Sequence, residues 1–326
     1  MRTLPVAILV AACSSHPGGS MGTTTDGAMA STDGGSGSGS SGSGSGSGSG
    51  MMSPHATIFT ILFENHDYKE IVGSGGAPYI NSLIATYALA TNYKDDGHPS
   101  TPNYLHLISG SNQYPGIVDV LPTQFPYFPS AAPNLGTQLE AASIKWRSYS
   151  EDEGSAGCVL GNVGEFVPRH DPFLYFTDQQ MGSNGLCAAT NVDYTKFTAD
   201  LASDDYRYMW ITPNLIDDGH DPSTDPAGAL TTSDTWLGSN LPAILASEAY
   251  TSGGIIFITW DEAEGRNGDD PDQVPMIVIS PRLKQMPETT SAALDHSSYL
   301  ATVEDLLGLP RLATVTSSPT MLELLQ

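Results

Sequence analysis

Two apolar runs in this chain each stop at a pair of residues suited to chemistry: residues 56–63 end at Glu64-Asn65, and residues 254–260 end at Asp261-Glu262. Carboxylate and amide oxygens are hard ligands, suited to Mg²⁺, Ca²⁺ or Mn²⁺, and a nearby imidazole extends the choice to Zn²⁺ or Fe²⁺. Eight histidines are present. His16 and His55 lie before the first apolar run, and His106 falls in the apolar helical register Tyr104-Leu105-His106-Leu107-Ile108, which reads as packing or support. His66, His98, His170, His220 and His296 remain as candidates. A third feature is the turn Gly97-His98-Pro99-Ser100-Thr101-Pro102-Asn103-Tyr104, which delivers a hydroxyl to the start of an apolar helix. Backbone N–H groups there favour an anion, and a metal touching the hydroxyl would favour its alkoxide. A Ser/Thr N-cap explains the same residues without any chemistry, and residue type alone does not separate the two.

These residues need elements that bring them together. Residues 56–63, 206–212, 254–260 and 276–280 are β-branched and aromatic runs that read as buried strands, each followed by a polar cluster. Residues 78–89, 134–142, 241–249 and 299–307 read as helices between them. Strands alternating with helices predict an α/β, three-layer fold: a largely parallel sheet with helices on both faces. Ligands of such sheets sit beyond the carboxyl ends of the strands, where Glu64-Asn65 and Asp261-Glu262 fall.

The chain has 326 residues and a formal net charge of -24, with 12 Lys+Arg against 36 Asp+Glu. Such an acidic surface argues against nucleic acid as a partner, since phosphate backbones are held by Lys and Arg. A small phosphorylated substrate remains possible because a bound cation reverses the field locally. Residues 1–12 read as an export signal, and Val10-Ala11-Ala12-Cys13 resembles a lipobox that would attach lipid to Cys13. Residues 13–53 are Gly/Ser-rich and read as a disordered tether with a reach of about 30–37 Å. The folded catalytic domain is expected over residues 54–326, exported and held at the membrane only through the lipid anchor. Cys158 and Cys187 then form an even pair and predict a disulfide.

Five segments, taken in order, resemble the phosphoesterase family of acid phosphatases and bacterial phospholipases C. They are Phe63-Glu64-Asn65-His66, the stretch from Gly97 to Gly110, Arg169-His170-Asp171-Pro172-Phe173-Leu174-Tyr175-Phe176, Ile211-Thr212-Pro213-Asn214-Leu215 with Asp218-Gly219-His220-Asp221, and Phe257-Ile258-Thr259-Trp260-Asp261-Glu262. The resemblance implies an alkaline-phosphatase-like fold from about Thr57 to Leu309. It further implies a divalent metal held by Glu64, Asn65, Asp261 and Glu262, with Ser100 as metal ligand and nucleophile that forms a phospho-enzyme. His170, His220 and Asp221 would face the phosphate, with His98 and His296 as possible additions.

Two departures stand out. The family usually has Asn where this chain has Asp171, and Gly directly after the acidic pair where this chain has Ala263-Glu264-Gly265. The acids Glu264, Asp269, Asp270 and Asp272 read as a surface loop, with Ca²⁺ binding as the alternative. Hydrolysis of phosphate monoesters is the expected activity. A phospholipase C or other phosphodiesterase is the alternative within the enzymes, and a metal- and anion-binding surface module without turnover is the alternative outside them. Metal identity and oligomeric state are not legible.

Overall fold

The structure, a computed structural model, describes residues 56–221, 228–265 and 270–326. The expected export signal, Cys13, the expected tether, His16, His55 and Asp269 lie outside the described residues. Among those described, nine strands form one sheet: β1 (Ile58–Phe63), β2 (Ala88–Lys94), β3 (Trp146–Ser150), β4 (Asn191–Asp193), β5 (Tyr208–Thr212), β6 (Ile255–Trp260), β7 (Gln273–Ile279), β8 (Glu288–Thr290) and β9 (Leu294–Asp295). Their order is β4-β3-β5-β1-β6-β7-β2-β8, with β9 also on β2. All pairings are parallel except those of β7, which runs antiparallel to both β6 and β2. The expected largely parallel sheet is present.

β1 and β6 are buried along their whole length, because both faces of the sheet are covered. Thr60 and Phe63 have opposite parity on β1 and so point to opposite faces. Thr60 Oγ1 lies 2.5 Å from the hydroxyl of Tyr299, on the helix His296–Leu307. Phe63 packs edge-on against Trp236 of the helix Ala229–Ala246, with ring centroids 6.1 Å apart. Helices therefore cover both faces.

Two elements differ from expectation by more than three residues. The helix expected over residues 78–89 stops at Ile84, and Ala88 already belongs to β2. Pairing of β2 with β7 and β8 outweighs the helical propensity of this alanine-containing run. The helix expected over 241–249 begins at Ala229, carries Pro242 inside it, and is broken at Ser247 from a short turn Glu248–Thr251. Its weakly helical first half is held by Asp234, whose carboxylate accepts the N–H groups of Tyr79 and Ile80 at 3.1 and 2.7 Å, capping the neighbouring helix.

The register of the central strands positions the site. Phe63 pairs with Trp260, so Glu64 and Asp261 are the next residues on adjacent parallel strands. β5 flanks β1 on the other side, and the loop after it returns so that Asp218 O accepts Glu64 N–H at 2.9 Å. Three strand ends thus converge where open α/β sheets bind ligands.

Candidate active site

Ser100 is the first residue of the helix Ser100–Ser109, and Pro99 occupies the cap position without a side-chain bond to the helix. The N-cap explanation of Ser100 is therefore set aside. Its hydroxyl instead meets two carboxylates, Glu64 Oε2 at 3.1 Å and Glu262 Oε1 at 3.2 Å. Asn103, one turn along the helix, donates to Glu262 Oε2 at 3.1 Å and to Gly97 O at 2.6 Å, while its Oδ1 accepts Asp96 N–H. Asp95 closes the frame by accepting Gly97 N–H at 2.7 Å and Ala263 N–H at 2.6 Å. The turn before the hydroxyl and the turn after Glu262 are thereby one hydrogen-bonded unit.

Glu64 faces a second group through its other oxygen. His170 Nε2 lies 3.1 Å from Glu64 Oε1, His170 Nδ1 lies 3.0 Å from Asp218 Oδ2, and the imidazole stacks on Tyr104 at 5.0 Å between ring centroids. His220 joins from the same loop as Asp218, its Nδ1 donating to Asp221 Oδ1 at 2.8 Å. Ligand atoms of Glu64, His170 and His220 all lie within 4.8 Å of one another. Gly219, between Asp218 and His220, has φ +92°, a conformation that makes the tight turn possible.

Burial sets the charge states. It pushes Glu64 up to about 8, with the charge of Glu262 adding to that shift, and Glu262 up to about 7. Asp261 and Asp218 are likewise pushed well up, chiefly by desolvation and next by the charge of Glu64. His170 is driven well down by burial, then by Arg169 and His220, so its imidazole is neutral. Glu64 Oε1, Asp261 Oδ2 and His170 Nε2 are buried and make no aligned hydrogen bond, although the first and last are in ion-pair range. Buried polar atoms are normally satisfied. Carboxylate oxygens and a neutral imidazole nitrogen converging in this way fit a divalent cation, which would relieve the desolvated charge.

The other expected residues divide clearly. His98 reaches the site through Glu262, with Nδ1 3.0 Å from Oε1. Asn65 sits at φ +53° and its N–H points to Asp261 Oδ1 at 3.4 Å, so its backbone takes part. His296 is buried behind the site, with Nε2 2.8 Å from the carbonyl oxygen of Asp261 and Nδ1 2.9 Å from Tyr93 OH. His66 turns back to the Glu64 carbonyl, and His106 bridges Asp96 and Ser297, the supporting role expected of it. Asp171 is buried and pushed well up, without reaching Glu64 or Ser100. In the acidic loop, Asp270 is paired with Lys94 at 2.7 Å, as a surface acid would be. Cys158 and Cys187 form the expected disulfide.

Asp95, Asn103, Asp119, Arg169 and Asp218 were missed as site residues. Asp218 had a usable signal, an acid directly before the Gly-His of a strand-end loop. Asp95 acts on backbone groups, and Asn103 does so through Gly97 O and Asp96 N–H as well as holding Glu262; backbone groups leave no mark of their own in a sequence.

The sheet and the site together define a fold shared with the alkaline phosphatase superfamily. A superfamily protein from Vibrio parahaemolyticus superimposes with a TM-score of 0.56 at 13% identity, over 81% of this chain and 69% of that one. A phosphonate monoester hydrolase from Silicibacter pomeroyi gives 0.54 at 10% identity, over 83% and 76%. Residues 70–310 match the Phosphoesterase family, and the chain belongs to it, an enzyme family that hydrolyses phosphoric esters. Among relatives, a phosphatidylinositol-3-phosphatase of Mycobacterium tuberculosis is 27% identical over 265 residues, covering 81% of each chain. An acid phosphatase of Aspergillus fumigatus is 24% identical over 277 residues, 82% of this chain and 58% of that protein. This chain spans less than two thirds of the fungal acid phosphatases it matches. Among the described residues, no helix is long and apolar enough to cross a membrane.

Proposed function

We infer that the chain is an exported, metal-dependent acid phosphatase that hydrolyses phosphate monoesters through a covalent phosphoserine at Ser100. The observation that carries this reading is the hydroxyl of Ser100, at the head of a ten-residue helix and within 3.2 Å of two buried carboxylates. A serine placed there has no structural task comparable to the cost of assembling those charges around it. A divalent cation held by Glu64, Asp261, Glu262, Ser100 and the neighbouring His170 would supply positive charge to the phosphoryl oxygens and acidify the hydroxyl.

The chain's own residues do the rest. Glu64 and Glu262 orient the hydroxyl, and one of the two carboxylates accepts its proton as the oxygen attacks phosphorus in line. The Ser100 O–P bond forms as the ester P–O bond breaks, and the departing alkoxide takes a proton from His220. His220 suits this role better than His170, because it is partly exposed and braced by Asp221, whereas His170 is enclosed between Asp218, Glu64 and Tyr104. Water then attacks phosphorus as His220 accepts its proton, the Ser100 O–P bond breaks, and the Ser100 oxygen takes back the proton left on the carboxylate, freeing phosphate and the starting enzyme. Export is supported by the disulfide, which persists in oxidising compartments.

A second reading, a lipid-borne phosphate ester, is favoured by Val118, Leu121 and Phe125, exposed apolar residues on either side of Asp119 and Val120, which line a cavity with Arg169. The deciding experiment measures release from 4-nitrophenyl phosphate, a phosphoinositide and a choline phosphodiester, with and without chelator, by wild type and Ser100→Ala. Monoester turnover that requires both metal and Ser100 is expected. Preference for the diester would make the enzyme a phospholipase C, and a folded, metal-loaded protein silent on all three would make it a binding module.

A further inference from the structure

Arg169 precedes His170 and stands beside the site without a complete set of partners. Its Nη2 lies 3.1 Å from His220 Nε2, and its Nε is buried with no hydrogen-bond acceptor, the nearest carboxylate oxygen being Asp119 Oδ2 at 3.7 Å. Asp119 is itself committed elsewhere: its Oδ1 accepts both the N–H and the hydroxyl of Thr101, each at 2.9 Å. Thr101 follows Ser100, so Asp119 lies between Arg169 and the residue next to the nucleophile. The guanidinium also lines a cavity of about 160 Å³ with Asp119, Val120, Leu121 and Asn162. Its charge is felt at Glu64, Asp218 and His170, three buried residues of the site described above.

A guanidinium is a permanent cation with donors in a planar fork that matches two oxygens of a phosphate. Here it stands beside Asp119, its charge is felt at the buried acids Glu64 and Asp218, and it lines a cavity with Asp119. We propose that Arg169 binds the non-bridging phosphoryl oxygens of the substrate and selects the dianion of a monoester over the monoanion of a diester, with the ester's alcohol in the adjoining cavity. This rests on the phosphoserine reading and adds the residue that sets substrate class. A diester replaces one charged oxygen with a second alkoxy group, which offers the fork less charge and intrudes on its place. A lysine would keep the charge without the fork, so it should restore only part of the preference.

The test compares kcat/KM for 4-nitrophenyl phosphate and bis(4-nitrophenyl) phosphate in metal-loaded wild type, Arg169→Met, Arg169→Lys and Ser100→Ala, together with calorimetric binding of inorganic phosphate. Arg169→Met is expected to lower monoester kcat/KM by about a hundredfold, the loss typical of one oxyanion-binding donor, and diester kcat/KM by about threefold or less. Phosphate binding should weaken in parallel, with Arg169→Lys between the two. Equal losses on both esters, or unchanged phosphate affinity in Arg169→Met, overturn the proposal. If Arg169→Met fails to fold by near-ultraviolet circular dichroism, the Lys variant decides: a monoester-to-diester ratio equal to wild type overturns it. Turnover retained by Ser100→Ala sinks the phosphoserine reading instead, and phosphate binding by the Arg169 variants still judges Arg169 separately.

Discussion

At the residue scale, the site is a concentration of negative charge that the protein cannot relieve by itself. Glu64 and Glu262 are pushed up to about 8 and 7 by burial. In the metal-free protein each therefore binds a proton more tightly folded than unfolded, so the stability this contributes is present at low pH and is lost as pH rises through 7 to 8. A cation competes with those protons, so its affinity rises over the same interval. We expect the melting temperature of chelator-treated protein to fall between pH 5 and pH 8 and that of metal-loaded protein to hold. A flat profile without metal would mean the carboxylates are solvated. Glu64→Gln should separate the two roles: at pH 8 the apo variant melts higher than apo wild type, while metal affinity falls by about a hundredfold or more. Ser100→Ala, which removes one of the proposed metal ligands together with the nucleophile, should leave melting near wild type, weaken metal binding while the carboxylates still hold the ion, and cut monoester turnover by about 10⁴-fold or more.

At the element scale, precision comes from turns tied across the sheet. Asp95 holds the backbone on both sides of the Ser100–Glu262 contact, and a displacement of about 1 Å there costs on the order of a hundredfold in rate. Asp95→Ala is therefore expected to reduce kcat by about ten- to a hundredfold with KM little changed, checked by steady-state kinetics on a folded variant. Gly219 makes the complementary case. A Cβ there would lie 2.9 Å from Ser233 Oγ and 3.2 Å from His66 Cε1, at a φ that L side chains rarely adopt. Gly219→Ala should displace Asp218 and His220 together and destabilise by about 1–3 kcal/mol, read from denaturant unfolding. These elements also show what a sequence displays. β1, β5 and β6 were legible because a strand buried on both faces is a continuous apolar run, and their ends exposed Glu64, Asp261 and Glu262 directly. The start of β2, Ala88 and Leu89, was read into the preceding helix because its strand character comes from β7 and β8, distant in sequence. Arg169 and Asp119 were opaque for a similar reason, since an arginine beside a histidine acquires meaning only from the loops folded against it.

At the scale of the whole molecule, the disulfide and the site are linked by topology. Cys158 and Cys187 are 29 residues apart, and the loop they close contains Asn162, Arg169, His170 and Asp171. One end is also held by Cys158 N–H on the carbonyl of Asn191, the first residue of edge strand β4. His170 and Arg169 thus reach Glu64 and His220 from a long excursion that contributes no strand to the sheet. Such a segment depends on closure for its order, since little regular backbone pairing holds it to β3 and β5. Cross-linking about 30 residues stabilises by roughly 3–4 kcal/mol when its effect lies in the unfolded chain. If that were all, reduction would lower the melting temperature and leave the kinetics of the folded enzyme untouched. Because the loop delivers Arg169 and His170, we expect a second effect: the double variant Cys158→Ser/Cys187→Ser, assayed well below its melting temperature, shows raised KM for 4-nitrophenyl phosphate and weaker binding of inorganic phosphate. The Ser100–Glu262 half of the site lies outside the closed loop, so attack by the hydroxyl should be less affected than binding. A variant that melts earlier yet binds phosphate as tightly as wild type would show that packing of Phe173, Leu174 and Tyr175, all fully buried, suffices to seat the loop.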